Sequence, residues 1–93
     1  MRDLRTLNEE LGLPHLRARA AYERGIEGNV VHVEGIRYFD VSEQWLKAVR
    51  EAVWRTAPDL VYLGYQTESI GATGGSKKMH AWFREPSQEE QPL

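Results

Sequence analysis

The segment from Ser42 to Pro58 constrains this chain more than any other. Trp45, Leu46, Val49, Ala52 and Val53 recur at i, i+3/i+4 and i+7/i+8, which places them on one stripe of an amphipathic helix. Ser42 is a good N-cap, and Glu43 suits the positive first turn. Pro58 ends the helix by pushing its predecessor out of helical geometry. A helix with such a stripe must bury it against something, so the flanking segments have to supply a partner surface. At 93 residues the chain holds one core and no more.

Several classes are excluded early. With no cysteine, disulfide frameworks, thiolate zinc sites and cysteine nucleophiles are ruled out. No apolar run approaches the roughly 20 residues of a membrane span. Met1-Arg2-Asp3-Leu4-Arg5-Thr6 lacks the apolar core of a signal peptide, so a cytoplasmic protein is expected. The net charge of −2 is unevenly placed: residues 1–84 sum to +1 and residues 85–93 to −3. An acidic total is therefore no bar to DNA, and no support for it.

Upstream of the stripe, Leu4, Leu7 and Leu11 recur at helical spacing, and Thr6 to Glu9 has capping-box spacing. Gly12 stops that helix. Pro14 suits the first turn of a second, running to Tyr22 or Arg24 and closing at Gly25, with Ala18, Ala21 and Tyr22 on one face. Asn29-Val30-Val31-His32-Val33 and Ile36-Arg37-Tyr38-Phe39 flank Glu34-Gly35 and predict a hairpin. Downstream, 60–66 and 79–84 predict a second hairpin around a Gly/Ser/Thr-rich loop. Residues from Pro86 on carry too little apolar content to fold alone.

This order resembles a known family. Leu7-Asn8-Glu9-Glu10-Leu11-Gly12-Leu13-Pro14, the Gly12 to Gly25 spacing, Val31 to Phe39, and Ser42-Glu43-Gln44-Trp45-Leu46 are together similar to the excisionase and MerR-like winged helix-turn-helix proteins over residues 4–55. The resemblance implies an α+β fold: helix-turn-helix, β-hairpin wing and third helix, followed here by a second β-hairpin and a mobile acidic tail. The expected organisation is a single domain at 1–84, with the hairpin extension at about 58–84 and a disordered tail at 85–93. The implied function is binding of double-stranded DNA by a regulatory or architectural protein, by analogy phage or mobile-element borne. A recognition helix at about 14–24 would enter the major groove beside a wing at about 30–39.

On that reading Arg17 and Arg19 are the leading DNA contacts, since an arginine fork bonds a guanine edge or neutralises a phosphate. His15 and Arg24 flank them on the same helix, and Arg37 lies on the wing. Lys77 and Lys78, beside a Gly-rich loop that lacks P-loop order, add non-specific phosphate attraction. His15, His32 and His80 show no metal-ligand spacing, and no catalytic constellation is present. The expectation is a non-enzyme with no cofactor, no metal, no membrane and no small-molecule substrate. The rival reading is a protein-binding module, such as a phage-encoded modulator of a host protein or a homodimer. It would use Tyr62, Tyr65 and Trp82 of the 60–84 hairpin as interface anchors.

Overall fold

Residues 18–38 follow a period of two, and that period builds the sheet. The computed structural model describes residues 2–14, 16–25, 28–38, 42–70 and 76–86, by backbone alone at 28, 37, 38, 42 and 76. The elements are α1 (Arg5–Leu11), β1 (Ala18–Gly25), β2 (Gly28–Tyr38), α2 (Ser42–Thr56), β3 (Val61–Ile70) and β4 (Ser76–Arg84). All four strands join one antiparallel sheet in the order β1-β2-β4-β3. Both helices lie on the same face. No described helix is long and apolar enough to cross a membrane.

This α+β architecture replaces the expected winged helix-turn-helix. Among the described residues there are two helices, not three, and the recognition helix at 14–24 does not form. Its place is taken by a short turn and then β1. Ala18, Ala20 and Tyr22 point towards the helices while Arg19, Ala21 and Glu23 point away. Alanine favours a helix in isolation, but eight paired positions with β2 override that preference. The wing at 30–39 is likewise absent as drawn. Glu34 and Gly35 are not a turn but the middle of an 11-residue strand that pairs with β1 on one edge and β4 on the other. The Thr6–Glu9 capping box is also replaced: the helix begins at Arg5 without a side-chain cap, and Asp3 Oδ1 accepts the Arg5 N–H at 2.9 Å.

Other expectations hold. α2 spans Ser42–Thr56 and buries Trp45, Val49, Ala52 and Val53. β3 and β4 form the downstream hairpin, although as members of the main sheet and not an appendage. Of the acidic tail, Glu85 is placed, with Arg2 Nε 3.4 Å from its carboxylate. Residues 87–93 lie outside the described residues.

The core is the layer between helices and sheet. Leu7 and Leu11 of α1 and the α2 stripe meet Ala18, Ala20, Val31, Val33, Met79, Ala81 and Phe83. Its tightest point is Trp45, fully buried, whose indole lies on Gly35. A Cβ at Gly35 would stand 2.8 Å from Trp45 Nε1 and 3.1 Å from Cζ2. Gly35 is thus required by close approach of a ring. The other special glycine is Gly64, at φ +149 in the β-bulge that separates the Tyr62/Phe83 and Gly64/Trp82 pairings.

Polar contacts fasten the outside. Arg55 reaches Glu10 at 2.9 Å, tying α2 to α1. Arg2 grips Asp59 through both guanidinium nitrogens, one of them at 2.7 Å, and its carbonyl accepts the Tyr22 hydroxyl at 2.6 Å. The N-terminal segment is thereby pinned to the turn between α2 and β3.

Trp45→Ala should lower unfolding stability by about 3–5 kcal/mol in denaturant titrations, and Gly35→Ala by about 1–3 kcal/mol from overpacking. In the Trp45→Ala background the Gly35→Ala change should become nearly neutral, because the obstructing ring is gone. Additive losses would mean that ring and glycine do not oppose each other. A second expectation concerns acid. The Arg2 hydrogen bonds hold the Asp59 carboxyl below the usual carboxylate range. A depressed folded value stabilises the protein above the unfolded value, near 4, and the benefit is lost as pH falls through the folded one. Because Asp59 is about half exposed, the effect should stay below about 1 kcal/mol. Asp59→Asn should flatten the acid limb of the stability profile by that amount and leave neutral pH-dependence unchanged.

Candidate functional site: the open sheet face and its free edge

Because both helices cover one side of the sheet, the other side carries every second residue of four strands with no described element above it. Strand register fixes its rows. Arg19, Glu34, His80 and Gln66 form one row, and Ala21, His32, Trp82 and Gly64 form the next. His32 therefore stands directly opposite Trp82 and diagonal to His80. The three rings are nearly parallel, with centroids 5.1–5.6 Å apart and interplanar angles of 11–14°. They shelter one another, so the imidazoles are only 11% and 15% exposed although no described element overlies the sheet.

The ring nitrogens are all engaged. His32 Nε2 and His80 Nδ1 lie 2.9 Å apart. On the far sides, His32 Nδ1 meets Glu23 Oε1 at 2.5 Å and His80 Nε2 meets Glu68 Oε1 at 3.4 Å. Glu34 completes a cluster with the two histidines in which one donor atom from each lies within 4.8 Å of the others. Lys78 Nζ stands 3.4 Å from Glu34. In spacing alone the histidines carried no metal-ligand pattern, because residues 32 and 80 fell in two separate hairpins. The pairing of β2 with β4 joins those hairpins. The one local trace is His32-x-Glu34, two positions that share a face on any strand.

The residues expected at a DNA interface are partly assembled. Arg17, Arg19 and Lys78 surround a hollow of about 410 Å³ together with Glu34, Gly35 and Ile36. Arg17 sits in the turn before β1 at φ 46, its Nε donating to the Pro14 carbonyl at 3.2 Å. Arg24 is at the opposite end of β1. Lys77 lies on the helix side of β4, across from Arg37 of β2, whose side chain is outside the described residues, as is His15.

The expected partner anchors are divided between faces. Tyr62 and Tyr65 are on the helix side, as their pairing with Phe83 and Ala81 requires, whereas Trp82 is on the open face. Tyr62 is half-buried, tilted against Phe83 and capped by the Arg50 guanidinium 4.3 Å above its ring. Tyr65 lies farther along the strand. There it lines a hollow of about 590 Å³ with Leu46, Arg50 and Trp54 of α2. Trp54 is 72% exposed.

No family model, curated protein or solved structure matches the chain. Function must therefore be read from these surfaces.

The two edges of the sheet differ sharply. At the β1 edge, the Asn8 side-chain amide donates to the Ala20 carbonyl at 3.0 Å and accepts the Ala20 N–H at 2.7 Å. A single residue of α1 thus pairs that edge at one position, Ala20, as a neighbouring strand would there. The β3 edge runs for ten residues, roughly 34 Å. Among the described residues, no hydrogen bond reaches its outer side. Exposed Leu63 and Tyr65 lie on β3 itself, with Trp54 on the adjoining helix.

Proposed function

We infer that this protein is an interaction module that accepts an extended strand of a protein partner along the outer edge of β3. The asymmetry of the two sheet edges carries this reading. An exposed edge of unpaired N–H and C=O groups is a template for another strand, and folded proteins normally blunt it with charge, proline or a cover. Here β1 is blunted by Asn8, while β3 contains no proline and one ionisable carboxylate, Glu68. In strand addition, main-chain hydrogen bonds supply affinity, and pockets beside the edge select alternate side chains. The hollow between Trp54, Leu46, Arg50 and Tyr65 is such a pocket. It favours an apolar or aromatic side chain against Trp54, Leu46 and Tyr65, since its two cations, Lys47 and Arg50, are balanced by Glu43 and Glu51. Tryptophan and tyrosine are also the residue types that dominate interface energetics.

Binding of double-stranded DNA is the second reading, and the observation favouring it is the convergence of Arg17, Arg19 and Lys78 on one hollow. In this form the contact is to phosphate from a strand and a turn. Three cations neutralise at most three phosphates, so affinity should be modest and strongly salt-dependent.

The first reading is tested by placing a photo-crosslinking residue at Leu63 and recovering adducts from cells of the source organism. One specific partner should be captured, and Thr67→Pro, which removes an outward-facing N–H and leaves the β3–β4 ladder paired, should release it without unfolding the sheet. Adducts confined to a second copy of this chain would assign the edge to homodimerisation instead. Equal adducts with and without the proline would remove the strand-addition reading. For the second reading, log affinity for random duplex DNA should fall linearly with log salt with a slope no steeper than about −3. Arg17→Ala with Arg19→Ala should flatten that slope by about two units. A protein that shows no affinity even at low salt does not bind duplex DNA.

A further inference from the structure

The contact between His32 and His80 poses a question that neither reading above answers. A carboxylate accepts hydrogen bonds and donates none. With Glu23 against His32 Nδ1 and Glu68 against His80 Nε2, the stable arrangement puts a ring proton on each of those nitrogens. The two remaining nitrogens, His32 Nε2 and His80 Nδ1, then aim lone pairs at each other across 2.9 Å. Two acceptors at that separation repel unless a proton, making the contact a hydrogen bond, or another cation lies between them.

We propose that His32 Nε2, His80 Nδ1 and a Glu34 carboxylate oxygen form a binding site for a divalent first-row transition metal ion of the zinc class. Zinc–imidazole bonds of about 2.0–2.1 Å meeting at about 90–110° separate the two nitrogens by about 2.9–3.4 Å. The observed separation is at the close end of that range. With ring centroids 5.1 Å apart the nitrogens face nearly head-on, so both imidazoles must turn towards Glu34 to receive the ion. Glu34 supplies the third donor from two residues along β2, on the same face as His32 and directly across from His80. Two imidazoles and one carboxylate suit zinc, and leave a fourth position facing solvent for water.

The outer contacts match as well. A metal-bound histidine usually passes its other ring N–H to a carboxylate, which fixes the tautomer and raises the ring's basicity. Glu23 and Glu68 stand in that position, one for each ring. Trp82, stacked at 5.2 and 5.6 Å on the two imidazoles, holds their planes and screens one side of the site. Lys78, 3.4 Å from Glu34, works against the metal by occupying the third ligand and by its charge. The site is built on β2 and β4, the two central strands, whose backbones are paired on both edges.

The test uses the full chain stripped with a chelator and titrated with Zn²⁺ by calorimetry and with Co²⁺ by visible absorption. The expected result is one equivalent bound, with Co²⁺ ligand-field bands of a low-coordinate nitrogen/oxygen site and quenching of the fluorescence lost in Trp82→Phe. His32→Ala and His80→Ala should each abolish one-to-one binding. Should either fail to fold by circular dichroism, the half-exposed carboxylates decide. Glu34→Gln and Glu23→Gln keep their side-chain size and should weaken binding by about tenfold or more. Lys78→Gln should tighten it severalfold. The proposal is overturned if no one-to-one Zn²⁺ binding occurs at micromolar metal, or if binding survives unchanged in both histidine variants. It is equally overturned if nitrogen-15 spectra at excess Zn²⁺ show a proton still shared between His32 Nε2 and His80 Nδ1.

Discussion

The seating of the Trp45 indole on Gly35 is the constraint from which the rest of the arrangement follows. The ring is wholly buried, and the strand beneath it has no side chain to hold it off. This brings α2 down onto the middle of β2 and obliges β2 to run straight through Glu34 and Gly35. A straight 11-residue strand has two long edges to fill, and β1 and β4 fill them. With α2 crossing the sheet from the end of β2 to the start of β3, room remains between those strands for β4. Met79, Ala81 and Phe83 pack there beneath the helix. The contact leaves Trp45 Nε1 buried without a hydrogen-bond partner among the described residues. That cost, on the order of 1–3 kcal/mol, is tolerated because burial of the ring outweighs it.

That same contact explains part of what was legible in the sequence and what was not. The α2 stripe was plain because its period of 3.6 runs through about two and a half turns, Trp45 to Val53, and the helix is closed by a proline. β3 and β4 were plain because β-branched and aromatic residues flank a Gly-rich loop. Gly35 misled because a glycine after an acidic residue between two β-rich runs is the signature of a hairpin turn. The sequence holds no mark to distinguish a turn glycine from one flattened under a ring 10 residues later. β1 is hidden for a separate reason: six of its eight positions pair with residues 28–33, upstream of Gly35, but Pro14 and Gly25 frame it as a helix. Ala18-Arg19-Ala20-Ala21 then falls back on alanine's helical preference. Gly35 taken as a turn accounts for the wing, and the alanine-rich segment between Pro14 and Gly25 for the extra helix; the two together make the winged-helix resemblance.

The candidate sites were illegible for a related reason. His32 and His80 are 48 residues apart and meet only because β2 and β4 pair. Ion-ligand spacing is readable when donors share one element, as His32 and Glu34 do. It is lost when the last donor arrives through long-range register. The free edge of β3 was hidden too, since which strand ends a sheet is a property of strand order. Arg17, Arg19 and Lys78 are an instructive middle case. The two arginines are expected on a helix that does not form and the lysine beside a hairpin loop, yet a turn and two strands bring all three around one hollow. Residue type was informative there while placement was not.

The two working surfaces sit on strands of opposite character, and this division has a physical logic. β2 and β4 are hydrogen-bonded on both sides along most of their length and backed by the core, so side chains rooted on them are held in fixed relation. A cluster that needs three donor atoms within a few ångströms gains most from that rigidity, since disorder of a fraction of an ångström would cost the geometry. β3 is bonded on one side only and carries the bulge at Gly64. An edge with that freedom can adjust its twist to an incoming strand, which a doubly paired strand cannot do. The two surfaces meet at Gly64, which faces Trp82 and has open space where a side chain would stand. A strand arriving at the β3 edge would reach the imidazole pair by two routes: through the bulge beside Trp82, and through Glu68 of β3, whose carboxylate lies 3.4 Å from His80 Nε2.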